Sequence, residues 1–557
     1  MRAVSPLHRL VPLLVWLGAA WYGAALAQPS GAVESPADQR LPAFPLDRVE
    51  PGLEGHALTA GPGNRLERFW VTVLARQDGL GPGGLPLVLI ETSGPLIDAA
   101  GGVAAGMSGS PVYLDLDGSQ ALLGAIGYVF PNADGNLALV TPIEAMREQT
   151  LDQTQSLPLP DGAQPVATPV LVAGLGERAL GLLEDTVLAR ASQRLEAVRA
   201  GGSAAADGAA GPPAPGSAIA LQLVRGDVDI AAVGTVTEVY GTELLALGHP
   251  FLGTGPASWL LAPARITAIV PSRQVPFKLA NLDPEMLGAV VADRPAGVAA
   301  RLGERPALIP VTLTVDAGGQ REELRFEVVA AEPWWPLLVA VATLEGLDRA
   351  WRRVSPGSAT LAWDLELAGG PPLRLLEEVS SASDVVLAAA RMAGAPLALL
   401  AENPFETPRP TGLKLLIEVD ERRRDGELVE VLVDPGPMQA GASLGLLLRL
   451  QPWRRPSEVH TLTVTLPADL HPDPELVVRG AGEPRDEEHE GGVDTQILSY
   501  AELLTVLRER PRSGDLVVEV RDADGRWQVL ERREFPYQVR GVERIPLDLA
   551  EADDDDD

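Results

Sequence analysis

The chain has 557 residues, a net charge of −31 at neutral pH, 46% hydrophobic residues and no cysteine. So acidic a chain lacks the clustered cations that phosphate binding needs, which argues against a nucleic-acid partner. The missing cysteines exclude a disulfide framework and a thiolate zinc site. Lysine occurs only at Lys278 and Lys414. That disfavours a Ser–Lys dyad or a Schiff-base enzyme and leaves Lys278 as the side chain either would need.

At about 150 residues per domain, the length suggests three or four domains. Arg2, His8 and Arg9 precede an apolar run over 10–26 that ends in Ala25-Leu26-Ala27. This three-part pattern predicts a signal peptide over 1–27, cleaved after Ala27. The competing reading, a membrane anchor, fits less well because Pro12, Gly18 and Gly23 interrupt the run. No later apolar run reaches the roughly 20 residues that span a bilayer. The mature chain is therefore expected in the periplasm, the cell envelope or the medium, meeting a membrane only through an uncleaved signal peptide.

Residues 41–150 alternate short apolar runs with Gly/Pro turns, the pattern of a β-barrel or sandwich. Within them lies Gly101-Gly102-Val103-Ala104-Ala105-Gly106-Met107-Ser108-Gly109-Ser110-Pro111, followed by a hairpin turning at Asp117-Gly118. Glycines around a serine allow a tight turn that presents one hydroxyl and aims N–H groups at a common point. A lipase-type nucleophile elbow would need a helix directly after the serine, which Pro111 and the hairpin oppose. A plain glycine-rich turn is the bland alternative. His56 reads as a surface histidine.

Residues 151–200 form a helical connection, with apolar residues at helical spacing over 179–198. The Gly/Ala/Pro/Ser-rich stretch 201–217 is a flexible linker by composition. A second β-rich unit spans 218–331 and contains Gly234-Thr235-Val236-Thr237 and then Ala246-Leu247-Gly248-His249-Pro250. Residues 332–403 read as helical, with a break near Gly394 and Pro396. Residues 404–548 have the strand rhythm of an immunoglobulin-like sandwich, starting with a strand at 413–419. His460 and His471 read as strand-end and turn residues, and 549–557 as a solvated acidic tail.

The serine stretch, with Gly124-Ala125-Ile126-Gly127-Tyr128 and Thr141-Pro142-Ile143-Glu144 after it, resembles the SpoIVB-type serine peptidases, family S55. The Gly-Thr-Val-Thr strand and Leu-Gly-His-Pro resemble that family's histidine segment. The resemblance implies a mainly β, trypsin-like two-barrel peptidase fold with helical insertions and permuted segments, because Ser108 here precedes His249. It implies Ser108 as nucleophile, His249 as general base, and the backbone N–H groups of Gly106 and Ser108 as oxyanion donors. It implies a protein or peptide substrate, with the strand 124–129 available to pair with it, and neither cofactor nor metal. One position departs from the family: Ser93 stands where the orienting acid belongs. The third triad acid is thus unassigned, with Asp98, Asp227 and Asp229 near the partners in sequence only. Three readings follow: a secreted serine endopeptidase, a pseudopeptidase retained as a binding module, and a structural envelope protein.

Overall fold

The computed structural model describes residues 40–130, 133–148, 164–191, 195–199, 211–272, 275–434, 439–471, 473–485 and 497–547. The predicted signal peptide, much of the predicted linker and the acidic tail lie outside the described residues. Strands take 51% and helices 17% of the described residues.

Alternation of apolar and polar residues builds the first barrel. Its strands are β1 (Glu54–Ala60), β2 (Leu66–Gln77), β3 (Leu87–Ser93), β4 (Pro111–Leu116), β5 (Ser119–Val129) and β6 (Leu137–Pro142). Along β2, Phe69, Val71 and Val73 are buried while Trp70 faces outward, the period of two that a one-sided strand requires. The inward residues, with Ile90, Val112, Leu123 and Val140, form one core. Each such side chain contributes about 1.5–3 kcal/mol by leaving water. The strands close in the cyclic order β1-β2-β3-β6-β5-β4.

The second barrel comprises β7 (Ala218–Gly226), β8 (Asp229–Tyr240), β9 (Glu243–Ala246), β10 (Gly255–Val270), β11 (Gly288–Arg294) and β12 (Gly297–Leu302). Its cyclic order is β7-β8-β9-β12-β11-β10, the order of the first barrel repeated strand for strand. Every pairing within both barrels is antiparallel. Two closed six-stranded barrels of one topology make the expected trypsin-like two-barrel architecture.

The second barrel is extended at β7 by the hairpin Leu308–Ala317 and Gln320–Val329. The strand Pro410–Asp420 then pairs with Leu308–Ala317 in parallel and with Gly357–Leu367 in antiparallel. The strand predicted to open the C-terminal unit thus belongs to this central sheet, whose apolar face claims Leu413, Leu415 and Ile417. The segment 332–403 holds two helices, Trp334–Trp351 and Val385–Ala401, with the hairpin Gly357–Leu367 and Leu373–Ser381 between them. The second helix runs through Gly394 and Pro396 without a break. Gly394 lies against the first helix, where a Cβ would sit 3.0 Å from the Pro336 carbonyl oxygen, so its function is close helix approach. Of the helix predicted over 179–198, Glu177–Thr186 is helical and Leu195–Arg199 is a strand beside Thr168–Ala173. The C-terminal unit has two four-stranded sheets over a shared core. Among the described residues no helix is long and apolar enough to cross a membrane.

Candidate functional site

The serine loop joins β3 to β4, and the histidine loop joins β9 to β10. These are the same connection, third strand to fourth, in two barrels of one topology. Both loops lie on the seam between the barrels. The Thr235 N–H donates to the Ser108 carbonyl and the Thr237 hydroxyl to the Gly109 carbonyl, each at 2.8 Å. The Thr141 hydroxyl on β6 donates to the Gly248 carbonyl at 2.5 Å. Tyr128 on β5 donates to the Pro295 carbonyl at 2.9 Å and sets its ring edge-on to His249, centroids 6.2 Å apart.

The serine turn is compact because two glycines occupy conformations closed to other residues. Gly106 has φ +87° and Gly109 φ +92°. A Cβ on Gly109 would stand 1.9 Å from the Thr235 carbonyl oxygen, so the barrels approach through a backbone-only contact. The Met107 N–H is paired with the Ala104 carbonyl, that of Gly109 with Ile126 and that of Ser110 with Met107. The N–H groups of Gly106 and Ser108 have no acceptor among the described residues. They are the two groups that the family resemblance implied as oxyanion donors.

His249 is fully buried. Its Nδ1 lies 2.6 Å from the Pro250 carbonyl oxygen. A carbonyl only accepts, so Nδ1 carries the proton and Nε2 presents its lone pair. Burial holds the imidazole down to about 4, with the Pro250 bond pulling the other way, so the ring is neutral at pH 7. Among the described residues no carboxylate bonds this imidazole. Asp98 is exposed, Asp227 accepts from the Arg325 N–H at 2.7 Å, and buried Asp229 accepts from Gln222 and Gly226.

Ser108 Oγ, Ser110 Oγ and His249 Nε2 are buried and have no hydrogen-bond partner. No hydrogen bond therefore joins Ser108 to His249, and both residues are sealed from solvent. Unpaired buried polar groups are rare and point to a functional or strained site. The strand 124–129 is not a free edge. Ile126 pairs with Gly109 and Ser110, the Gly127 carbonyl accepts from the Val166 N–H at 2.9 Å, and Tyr128 and Val129 pair with Pro165 and Gln164.

Four residues around the site had no assigned role in the sequence. Thr235 and Thr237 bind the serine turn, and their signal was two threonines at period two on one strand. Asp293, fully buried at the end of β11, accepts from the N–H groups of Phe251, Leu252, Gly253 and Thr254 at 2.6, 2.8, 2.6 and 3.3 Å. It fixes the segment that follows His249. Lys278 is fully buried beside Gly106. His56 is half-buried, with its ring 5.3 Å from that of Tyr113, in a cross-strand pair and not on the open surface. His460 packs on Phe535 within its strand and His471 caps a turn at Asp473. Among the described residues no group of His, Asp and Glu is placed to hold a metal ion. No protein-family model, curated protein or solved structure matches the chain.

Proposed function

We propose that the chain is an S55-like serine endopeptidase in a closed state. Ser108 Oγ attacks a peptide carbonyl carbon and passes its proton to His249 Nε2. The Gly106 and Ser108 N–H groups receive the oxyanion. The imidazolium then protonates the departing amine, and water hydrolyses the acyl-enzyme by the reverse proton path. The observation that carries this reading is the 2.6 Å approach of His249 Nδ1 to the Pro250 carbonyl oxygen beside an unpaired Nε2, which makes Nε2 the basic nitrogen of the neutral ring. A carbonyl in place of a carboxylate gives the imidazolium no counter-charge. Turnover is expected to be slow, as it is when a triad acid is lost.

A fluorophosphonate probe tests the reading. It should label Ser108 and not Ser110, Ser108→Ala should abolish labelling, and His249→Ala should reduce it strongly. A folded wild-type protein that never labels at neutral or mildly alkaline pH would favour the second reading, an inactive barrel pair acting as a binding or structural module of the envelope. The sealed Ser108 and His249 and the occupied edge of β5 favour that module. Either form is proposed to be exported, which N-terminal sequencing of the mature chain, expected to begin at Gln28, would check.

A further inference from the structure

Lys278 lies on the strand Phe277–Leu282, which hangs from β10. The start of this strand grips the serine turn. The Ala105 N–H donates to the Pro276 carbonyl at 2.7 Å, and the Lys278 N–H to the Ala105 carbonyl at 2.9 Å. Gly106 rests on the lysine stem, where a Cβ would meet both Cβ and Cδ of Lys278 at 3.3 Å. The ammonium reaches Thr59 Oγ1 on β1 at 2.6 Å and Thr235 Oγ1 on β8 at 3.2 Å. The Thr235 hydroxyl in turn lies 2.8 Å from the Gly106 carbonyl oxygen.

Directions follow from donor counts. A hydroxyl has one hydrogen, and the Gly106 carbonyl can only accept. Thr235 therefore donates to Gly106 and accepts from Lys278. An amine buried with no anion beside it is costly, and a methionine would fill the same volume without that cost. What the amine adds is a charge-assisted bond, about twice as strong as a neutral one.

We propose that Lys278 is a positioning residue for the serine turn. Shared between Thr59 of one barrel and Thr235 of the other, it holds the Thr235 hydroxyl on the Gly106 carbonyl. It thereby fixes the single peptide unit that separates the N–H groups of Gly106 and Ser108. The inference rests on the peptidase reading for what the turn serves, but not for the hydrogen bonds themselves. Burial lowers the ammonium to about 7, so the clamp also loosens as pH rises. Thr59, Thr235, Gly106 and Pro169, the groups that face the amine and its stem from β1, β8, the serine turn and the strand Thr168–Ala173, do not ionise.

The dipeptide Gly-Met occurs once in the chain, at Gly106-Met107. Carbonyl-13C glycine with 15N methionine therefore gives one cross-peak that reports the Gly106 carbonyl. Thr235→Val and Lys278→Met should both move that carbonyl upfield, the direction of a lost hydrogen bond, while Thr235→Ser should leave it in place. Lys278→Met should also slow probe labelling of Ser108 about tenfold. In the wild type, raising the pH through about 7 should move the same peak upfield, and Thr235→Val should abolish that titration. This arm needs no lysine variant to fold. A carbonyl that moves in Thr235→Val but neither in Lys278→Met nor with pH would overturn the proposal. If the wild type never labels, the peptidase reading fails, yet the carbonyl signal still decides the role of Lys278.

Discussion

Lowering the pH below about 6.5 should destabilise the folded chain through His249. Its imidazole titrates near 6.5 when exposed and at about 4 in the fold, because burial disfavours the charged ring. Between those values the unfolded chain binds a proton that the folded chain does not. This stability is fully present above the unfolded value and is lost as pH falls through the folded one. The gap between 6.5 and about 4, at about 1.4 kcal/mol per pH unit, corresponds to about 3–4 kcal/mol. Urea unfolding of wild type and His249→Gln across this range isolates the effect, since carboxylates common to both proteins cancel in the difference. In the proposed mechanism the same neutral ring is the base, so probe labelling should show no fall between about pH 7 and about pH 5. A wild-type-minus-variant difference that is flat with pH, or labelling that halves near 6.5, would refute the burial argument.

Gly109→Ala should cost at least about 3 kcal/mol, because its Cβ would overlap the Thr235 carbonyl at a φ of +92°; an unchanged thermal midpoint would contradict the backbone-only contact. Asp293→Asn must turn an amide N–H₂ toward at least one backbone donor. A loss of about 2–4 kcal/mol is expected in denaturant unfolding, together with slower labelling. For Lys278, the folded value of about 7 lies below the unfolded 10.5, so its cost is full below the first value and gone above the second. Lys278→Met should therefore raise stability by a few kcal/mol near pH 6 and lose that advantage above about pH 10.5. Equal gains at both pH values would show that the amine is not buried as described.

Local backbone chemistry made part of this site legible. Gly106, Gly109 and the Thr-x-Thr pair announce a tight turn and a polar face whatever surrounds them. The two loops also announced themselves through histidine and serine among glycines. The equivalence of their positions was hidden, because it depends on which strands close each barrel. Pairing partners are non-local, which is why Leu195–Arg199 read as helix and Pro410–Asp420 read as part of the wrong unit. Asp293 carries no sequence signal, since its role depends on four N–H groups some forty residues earlier. The same holds for Lys278, whose partners come from β1 and β8.

The segment Gln164-Pro165-Val166 along β5 changes how any binding measurement on this chain behaves. A peptide that pairs with Gly127, Tyr128 and Val129 must compete with a strand on the same chain, present at an effective concentration in the millimolar range. Its apparent affinity is then the intrinsic affinity multiplied by the small fraction of molecules in which that strand has detached. Weak binding by short peptides is thus the expected baseline. Severing the chain between the first barrel and Gln164 would leave the segment tied only to the second barrel, so the edge would be vacated only where the seam between the barrels also opens.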